Sequence, residues 1–89
     1  MRVDQLLNKL CLIKTRSIAK KAADKNLIKI NGKTAKASSN VLAGDVIEYE
    51  LYGYYNKLEI TDIPKGNVSK TSAPTFYKFC EREKLESNS

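Results

Sequence analysis

The stretch Lys14–Lys36, KTRSIAKKAADKNLIKINGKTAK, decides the fold because it joins a lysine-rich helical pattern to a strand and a tight turn. Small apolar residues recur at helical spacing over Ile18–Ala23, and lysines occupy the opposite side of that helix. From Leu27 the period shortens to that of a strand, and Asn31-Gly32 then favours the positive φ angles of a hairpin turn. The stretch therefore predicts a helix followed by a β-hairpin, with cations on the exposed side.

Local signals set the ends of these elements. Thr15 or Ser17 can accept a hydrogen bond from a free amide in the first turn of the helix, and Asn26 can end it in a left-handed conformation. The return strand of the hairpin is expected at residues 34–36. Upstream, apolar residues at three- and four-residue intervals predict another short helix, with Asp4 near its positive dipole end. These apolar residues are Val3, Leu6, Leu7, Leu10 and Cys11.

Downstream, Gly44-Asp45 marks a turn, and residues 46–52 then alternate between apolar and polar side chains as in a half-buried strand. Residues 54–60 fit one further strand. A helical spacing of Phe76, Phe79 and Cys80 after Pro74 predicts a C-terminal helix. This helix either covers an edge of the sheet or docks a partner. We therefore expect an α+β fold in three parts: a folded unit at residues 1–60, a linker at 61–74 and a helix at 75–86.

Size and composition narrow the chemistry. A chain of 89 residues has room for one compact domain, and its longest apolar run, Leu10–Ile13, is far shorter than a membrane span. We expect a cytoplasmic monomer with no membrane association. There is no histidine, and the two cysteines are too far apart for a zinc or redox motif. Cys11 and Cys80 are predicted to be buried thiols, and nothing in the sequence supports an enzyme, a metal site or a cofactor.

Charge divides the chain into two unequal parts. Residues 1–40 carry ten Lys or Arg against two Asp, a net charge of +8, whereas residues 41–89 carry six cations against eight carboxylates, a net charge of −2. This asymmetry indicates a polyanionic partner for the first part. The alternative is a face that serves only solubility.

Four segments, taken together and in this order, indicate a family: RVDQLL, KTRSIAKKAAD, IKINGKTAKAS and AGDVIEYE. They resemble the small RNA-binding domain first described in small-subunit ribosomal protein four, the S4 domain. Its α-L architecture has two packed helices followed by a small antiparallel sheet. Within that family the pattern is similar to the branch that contains RqcP and the fifteen-kilodalton heat-shock protein of bacteria.

The resemblance implies a non-catalytic factor of ribosome-associated quality control. Such a factor would bind large-subunit rRNA and peptidyl-tRNA on obstructed large ribosomal subunits, and would support C-terminal tailing by a partner of the RqcH or NEMF type. Three alternatives stay open: an S4-domain factor in ribosome assembly, an RNA regulator and a protein–protein adaptor that uses the C-terminal helix.

The family's RNA-binding surface comprises the loop between the helices, the exposed side of the second helix and the hairpin. The matching positions here are Arg2, Lys14, Thr15, Arg16, Lys20, Lys21, Asn31, Lys33, Lys36 and Ser38. Arg16 is the strongest candidate, since a guanidinium can bind a phosphate through two hydrogen bonds or stack on a base, whereas lysines act as point charges.

Several of these residues have simpler alternative roles. Thr15 could serve only as a helix cap, Asn31 only as a turn residue and Ser38 only as a loop residue, while Arg2 could simply pair with a carboxylate. A lysine-rich surface suits folded or double-stranded RNA better than single strands. The tyrosines at positions 52, 54 and 55 could stack on bases or pack across the sheet.

Overall fold

A computed structural model describes residues 1–85 of the chain. Two helices precede an antiparallel sheet of five strands, whose spatial order is β2-β1-β3-β4-β5. The helices are α1, Val3–Lys9, and α2, Arg16–Asp24, and the strands are β1, Ile28–Ile30, β2, Lys33–Thr34, β3, Val46–Leu51, β4, Tyr54–Ile60, and β5, Tyr77–Lys84. A short 3-10 helix, Ala73–Phe76, leads into β5. The α+β class is thereby confirmed.

The two helices pack through the apolar residues that their spacing predicted. Val3, Leu6 and Leu7 of α1 are fully buried, and the small residues Ala19 and Ala22 of α2 allow the two helices to approach closely. Both ends of α2 follow local rules. Its first turn is capped by the Thr15 hydroxyl, and after its last turn Asn26 takes the left-handed conformation with φ of 61°.

The predicted hairpin turn is present, but its return strand is shorter than expected. Asn31 and Gly32 have φ of 52° and 82°, as a tight hairpin turn requires. The return strand β2 covers Lys33–Thr34 and not residues 34–36. It ends early because the chain turns again at Lys36, where the Ser39 amide donates to the Lys36 carbonyl oxygen at 2.9 Å.

Strands β3 and β4 have two chemically different faces. The face that packs against the helices, called the inner face, carries buried residues such as Ile47, Tyr49, Leu58 and Ile60. The opposite face, called the outer face, carries the residues that alternate with them, and directly paired residues of neighbouring strands share a face. The two-residue period seen in the sequence therefore assigned these two strands and their faces correctly.

The predicted C-terminal helix is wrong, because Tyr77–Lys84 forms strand β5, paired with β4 over its whole length. A β-bulge opposite Lys57 and Leu58 inserts one extra residue at Cys80 and breaks the two-residue period. Tyr77 and Phe79 therefore share a face with Arg82 and Lys84, a pattern that period-two alternation does not show. Glu86, the last residue of the predicted helix, lies outside the described residues.

The prediction of buried cysteines is also wrong, since both Cys11 and Cys80 are exposed. Helix α1 ends at Lys9, and Cys11 adopts φ of 59°, so its side chain leaves the apolar face that its spacing suggested. Cys80 lies at the bulge of the edge strand β5. Within residues 1–85 no three His, Cys, Asp or Glu side chains group closely enough to hold a metal ion, and no helix has the length and apolarity to cross a membrane.

Candidate nucleic-acid interface

A buried carboxylate joins two arginines that are distant in sequence. Asp4 is only 3% exposed, and its Oδ2 accepts hydrogen bonds from Arg2 Nη2 at 3.2 Å and Arg16 Nη2 at 3.4 Å. Its Oδ1 accepts from the Gln5 amide at 2.7 Å, so the carboxylate also satisfies a free amide in the first turn of α1. Each arginine side chain is about half exposed. The two guanidinium groups are thus fixed side by side at the surface.

Beside this pair, a groove of about 410 Å³ lies between α2 and the chain that follows β2. We call it the α2 groove. It is lined by Arg2, Lys20, Ala23, Asp24, Asn26, Lys36, Ala37 and Ser38. Three of these side chains are cationic and one is acidic, so the groove has a net positive charge. Four of the ten predicted RNA-binding residues line it: Arg2, Lys20, Lys36 and Ser38.

Hydrogen bonds fix the wall of the groove opposite α2. The Lys36 amide donates to Ser39 Oγ at 2.9 Å, which closes a tight turn around Ser38. The Ser39 carbonyl oxygen in turn accepts from the Val3 amide at 2.8 Å, so this turn is tied to the start of α1. As a result Lys36 and Ser38 are held next to Arg2, although more than thirty residues separate them in the chain.

The other predicted site residues lie outside the α2 groove. Arg16 lies next to it, beside Arg2 on Asp4. Lys14, Lys21 and Lys33 are exposed but do not line it. Thr15 caps α2, since its Oγ1 accepts from the Ile18 amide at 3.2 Å.

Asn31 has a clear local role in addition to its turn conformation. Its Nδ2 donates to Asp45 Oδ1 at 3.1 Å, and its Oδ1 accepts from the Val46 amide at 2.9 Å. The side chain therefore joins the β1–β2 turn to the start of β3. Neither Asn31 nor Lys33 lines the α2 groove.

Sequence reasoning missed two features of this site. Asp4 was expected only to favour the helix dipole, and its role as the anchor of Arg2 and Arg16 depends on a contact between α1 and the start of α2. Asp24 and Asn26 line the groove but were considered only as residues of the helix and its end. The sequence contains one signal for Asp4 and Asp24, because they are the two carboxylates among ten cations in the first forty residues.

Comparison with known proteins identifies the family of this chain. A family model described as the S4 domain matches residues 1–47, more than half of the chain. The chain belongs to the S4 domain family. The matched segment contains every residue of the α2 groove and both arginines on Asp4, whereas β4 and β5 of this S4-domain protein lie beyond it.

Relatives of similar length extend the match to nearly the whole chain. A protein of Bacillus subtilis strain 168 called "RQC P-site tRNA stabilizing factor" is 36% identical over 85 residues, covering 96% of this chain and 98% of the relative. A Streptococcus pneumoniae protein with the same name is 33% identical over 90 residues and covers 99% of both chains. Heat shock protein 15 of Vibrio cholerae, whose structure is described as trimeric, superposes with a TM-score of 0.81 at 25% identity, over 89% of this chain and 80% of that protein.

Proposed function

We propose that this S4-domain protein is a non-catalytic RNA-binding factor of ribosome-associated quality control. In this proposal it binds large-subunit rRNA and peptidyl-tRNA on obstructed large ribosomal subunits. The observation that carries the proposal is the pair of guanidinium groups that Asp4 holds beside the cationic α2 groove. The relatives' shared name, which refers to a P-site tRNA, indicates the kind of RNA.

The chemistry of the surface favours RNA phosphates as its ligand. Arg2 and Arg16 each offer a planar set of N–H donors, and because Asp4 already restricts their orientation, less side-chain entropy is lost when phosphates bind. Lys20 and Lys36 add charge along the groove without fixing geometry. A surface of this kind reads the shape and phosphate spacing of folded RNA and not its base sequence.

The proposal gives this protein a holding role. By binding rRNA and the tRNA together it would keep the peptidyl-tRNA in place while a partner of the RqcH or NEMF type directs C-terminal tailing of the stalled chain. A cytoplasmic location and action as a monomer belong to the same proposal. No bond is made or broken by this chain itself.

Charge reversal at Lys20, which lines the α2 groove, and at Arg16, which lies beside it, tests the proposal. We expect the double variant Arg16→Glu/Lys20→Glu to lose co-sedimentation with obstructed large subunits. Lys65→Glu/Lys78→Glu is the matched control, since it makes the same charge change at two exposed lysines outside the groove. The control should still sediment with subunits.

A second double variant guards against misfolding. Arg16→Glu places a carboxylate beside Asp4, so Arg16→Gln/Lys20→Gln, which removes the charges without adding repulsion, is tested in parallel. It should weaken sedimentation and keep the circular dichroism spectrum of the parent. Unchanged sedimentation of both folded double variants of Arg16 and Lys20 would overturn the proposal. Equal loss in the control would show that only overall charge matters.

A further inference from the structure

The sheet extends beyond the layer of helices and leaves part of its inner face uncovered. At this place Cys11 and Leu12, which follow α1, meet strands β3, β4 and β5 around a concave pocket of about 290 Å³. Its aromatic lining comprises Tyr49, Tyr52, Tyr54, Tyr77 and Phe79. We call it the aromatic pocket. Its volume is just below the roughly 300 to 1,000 Å³ of small-molecule sites, which suits one flat ring.

Two of these five rings are exposed, and contacts with neighbouring side chains order the lining. Tyr52 is 53% exposed and Phe79 is 43% exposed, whereas Tyr49 is buried. Phe79 packs edge-to-face on Tyr77 at a centroid distance of 5.3 Å. The Arg82 guanidinium lies over the Tyr54 ring at 4.6 Å, so a cationic plane stands within the aromatic lining.

Charge on the two faces of β3–β5 indicates which side a polyanion can approach. The inner face of these three strands carries two cations, Arg82 and Lys84, and no carboxylate. Their outer face carries five carboxylates against two lysines, and strand pairing keeps these side chains together on that face. They are Glu48, Glu50, Glu59, Glu81 and Glu83 against Lys57 and Lys78. Phosphates are thus repelled from the outer face and attracted to the side that holds the aromatic pocket.

The aromatic pocket is continuous with the predicted RNA surface. The Lys14 amide, at the start of the loop that leads into α2, donates a hydrogen bond to the Tyr52 hydroxyl at 3.3 Å. Lys14 is exposed, and Arg16 follows two residues later. The loop that leads into α2 therefore joins the aromatic pocket to Arg16, which lies beside the α2 groove.

We propose that the aromatic pocket stacks an unpaired base of the RNA that the α2 groove binds. Exposed aromatic rings beside cations are the arrangement by which proteins hold single-stranded nucleotides, and the Arg82 plane can stack on a base in the same way. This inference rests on the proposed function for the presence of RNA. It adds a second contact, outside the segment that matches the S4 domain, with a different chemistry: stacking in place of phosphate binding.

Two RNA probes separate the two contacts. One is a blunt stem-loop, and the other is the same stem-loop with a short single-stranded 3′ overhang of purines that includes 2-aminopurine. Phe79→Leu removes the ring at an exposed position and keeps an apolar side chain, while Phe79→Tyr keeps the ring. Lys20→Ala, in the α2 groove, reports on phosphate binding.

We expect the parent protein to bind the overhang probe more tightly and to quench its 2-aminopurine fluorescence. Phe79→Leu should weaken binding of that probe by about tenfold, as the loss of one stacked base predicts, and should leave the blunt probe within about twofold of the parent. Phe79→Tyr should behave as the parent does. Lys20→Ala should weaken binding of both probes.

Each failure has its own signature. Equal affinity of the parent for both probes, with no quenching and no effect of Phe79→Leu, would overturn the stacking inference even if Lys20→Ala still weakened binding. If neither probe bound, or Lys20→Ala changed nothing, the phosphate groove itself would fail. Loss of ribosome association by Phe79→Leu with unchanged RNA affinity would show that a protein occupies the pocket, which also overturns the inference. Tyr52→Leu, at the most exposed ring, repeats the test if Phe79→Leu does not fold.

Discussion

Replacing Asp4 with Asn tests whether the buried carboxylate anchors the two arginines. The substitution keeps the side-chain volume and an oxygen that can still accept from the Gln5 amide, which is 2.7 Å from Oδ1 in the parent. It removes the negative charge from the first turn of α1 and from the contacts with Arg2 at 3.2 Å and Arg16 at 3.4 Å. No cavity and no unpaired backbone amide are expected. The Asn NH2 group replaces the oxygen that accepts from both guanidinium groups, so the effect measures the loss of the charge together with these two hydrogen bonds.

The magnitude follows from the exposure of the partners. Because both arginines are half exposed, each ion pair should contribute roughly 0.2 to 1 kcal/mol. Loss of an acidic group at the N-terminal end of a helix costs roughly 0.3 to 1 kcal/mol more. The free energy of unfolding should fall by about 0.7 to 3 kcal/mol in total, which for a domain of this size lowers Tm by about 3 to 24 °C.

Urea denaturation followed by circular dichroism measures this change. The difference between Asp4→Asn and the parent should be smaller at about 1 M salt than at about 0.1 M, since salt screens the exposed part of each pair. In a double-mutant cycle with Arg16→Gln, the coupling free energy should be roughly 0.2 to 1 kcal/mol. An Asp4→Asn variant at least as stable as the parent, with no coupling to Arg16→Gln, would refute the anchoring role.

Three other predictions concern the helix cap, the thiols and the buried tyrosine. Thr15→Ala should destabilise the protein by about 1 kcal/mol, and Thr15→Asn should destabilise it much less, because only the Asn side chain retains a capping oxygen. If both variants fold and lower the affinity for RNA equally, Thr15 contacts RNA directly. Both thiols, Cys11 and Cys80, should react with a disulfide reagent in the native protein, and a thiol titrated only after denaturation would contradict their exposure. Burial raises the pKa of Tyr49 to about 12, so the hydroxyl loses its proton in the unfolded chain at a lower pH than in the folded protein. The free energy of unfolding should therefore fall as pH rises from about 10 to 12. Tyr49→Phe should make this fall less steep, and an unchanged pH dependence would contradict the raised pKa.

The helical and hairpin elements were predictable because local chemistry determines them. Thr15, Asn26 and Asn31-Gly32 favour the caps and the turn through their own backbone and side-chain preferences, and the structure places them in those roles. The alternation in β3 was equally clear, since one face is buried and the other is solvated. The sequence signal was weakest for β5. The extra residue Cys80 at the bulge interrupts the two-residue alternation, so the apolar residues of this strand have the spacing of a helix.

The candidate site depended on contacts that sequence spacing does not show. Arg2, Lys20 and Lys36 were predicted from the family pattern, but their convergence on the α2 groove requires the turn at Ser39 to be tied to α1. The charge asymmetry of the sequence indicated a polyanionic partner for residues 1–40 and assigned no role to the residues after them. In β3–β5, side chains alternate between the two faces of the sheet, and this alternation separates the cations from the carboxylates. Arg82 and Lys84 lie on the inner face, and the five carboxylates lie on the outer face.

Two adjacent lysines on α2 test whether the α2 groove binds RNA. Lys20 lines the α2 groove and Lys21 does not, although both are exposed and either substitution by Ala removes one charge from the same helix. Binding of a fluorescently labelled RNA stem-loop is measured over a range of salt concentrations. Lys20→Ala should reduce the slope of log affinity against log salt by roughly 0.7 to 0.9, the value for one lost phosphate contact, while Lys21→Ala leaves the slope unchanged. Equal changes in both variants, or none in Lys20→Ala, would contradict the claim that the α2 groove binds RNA.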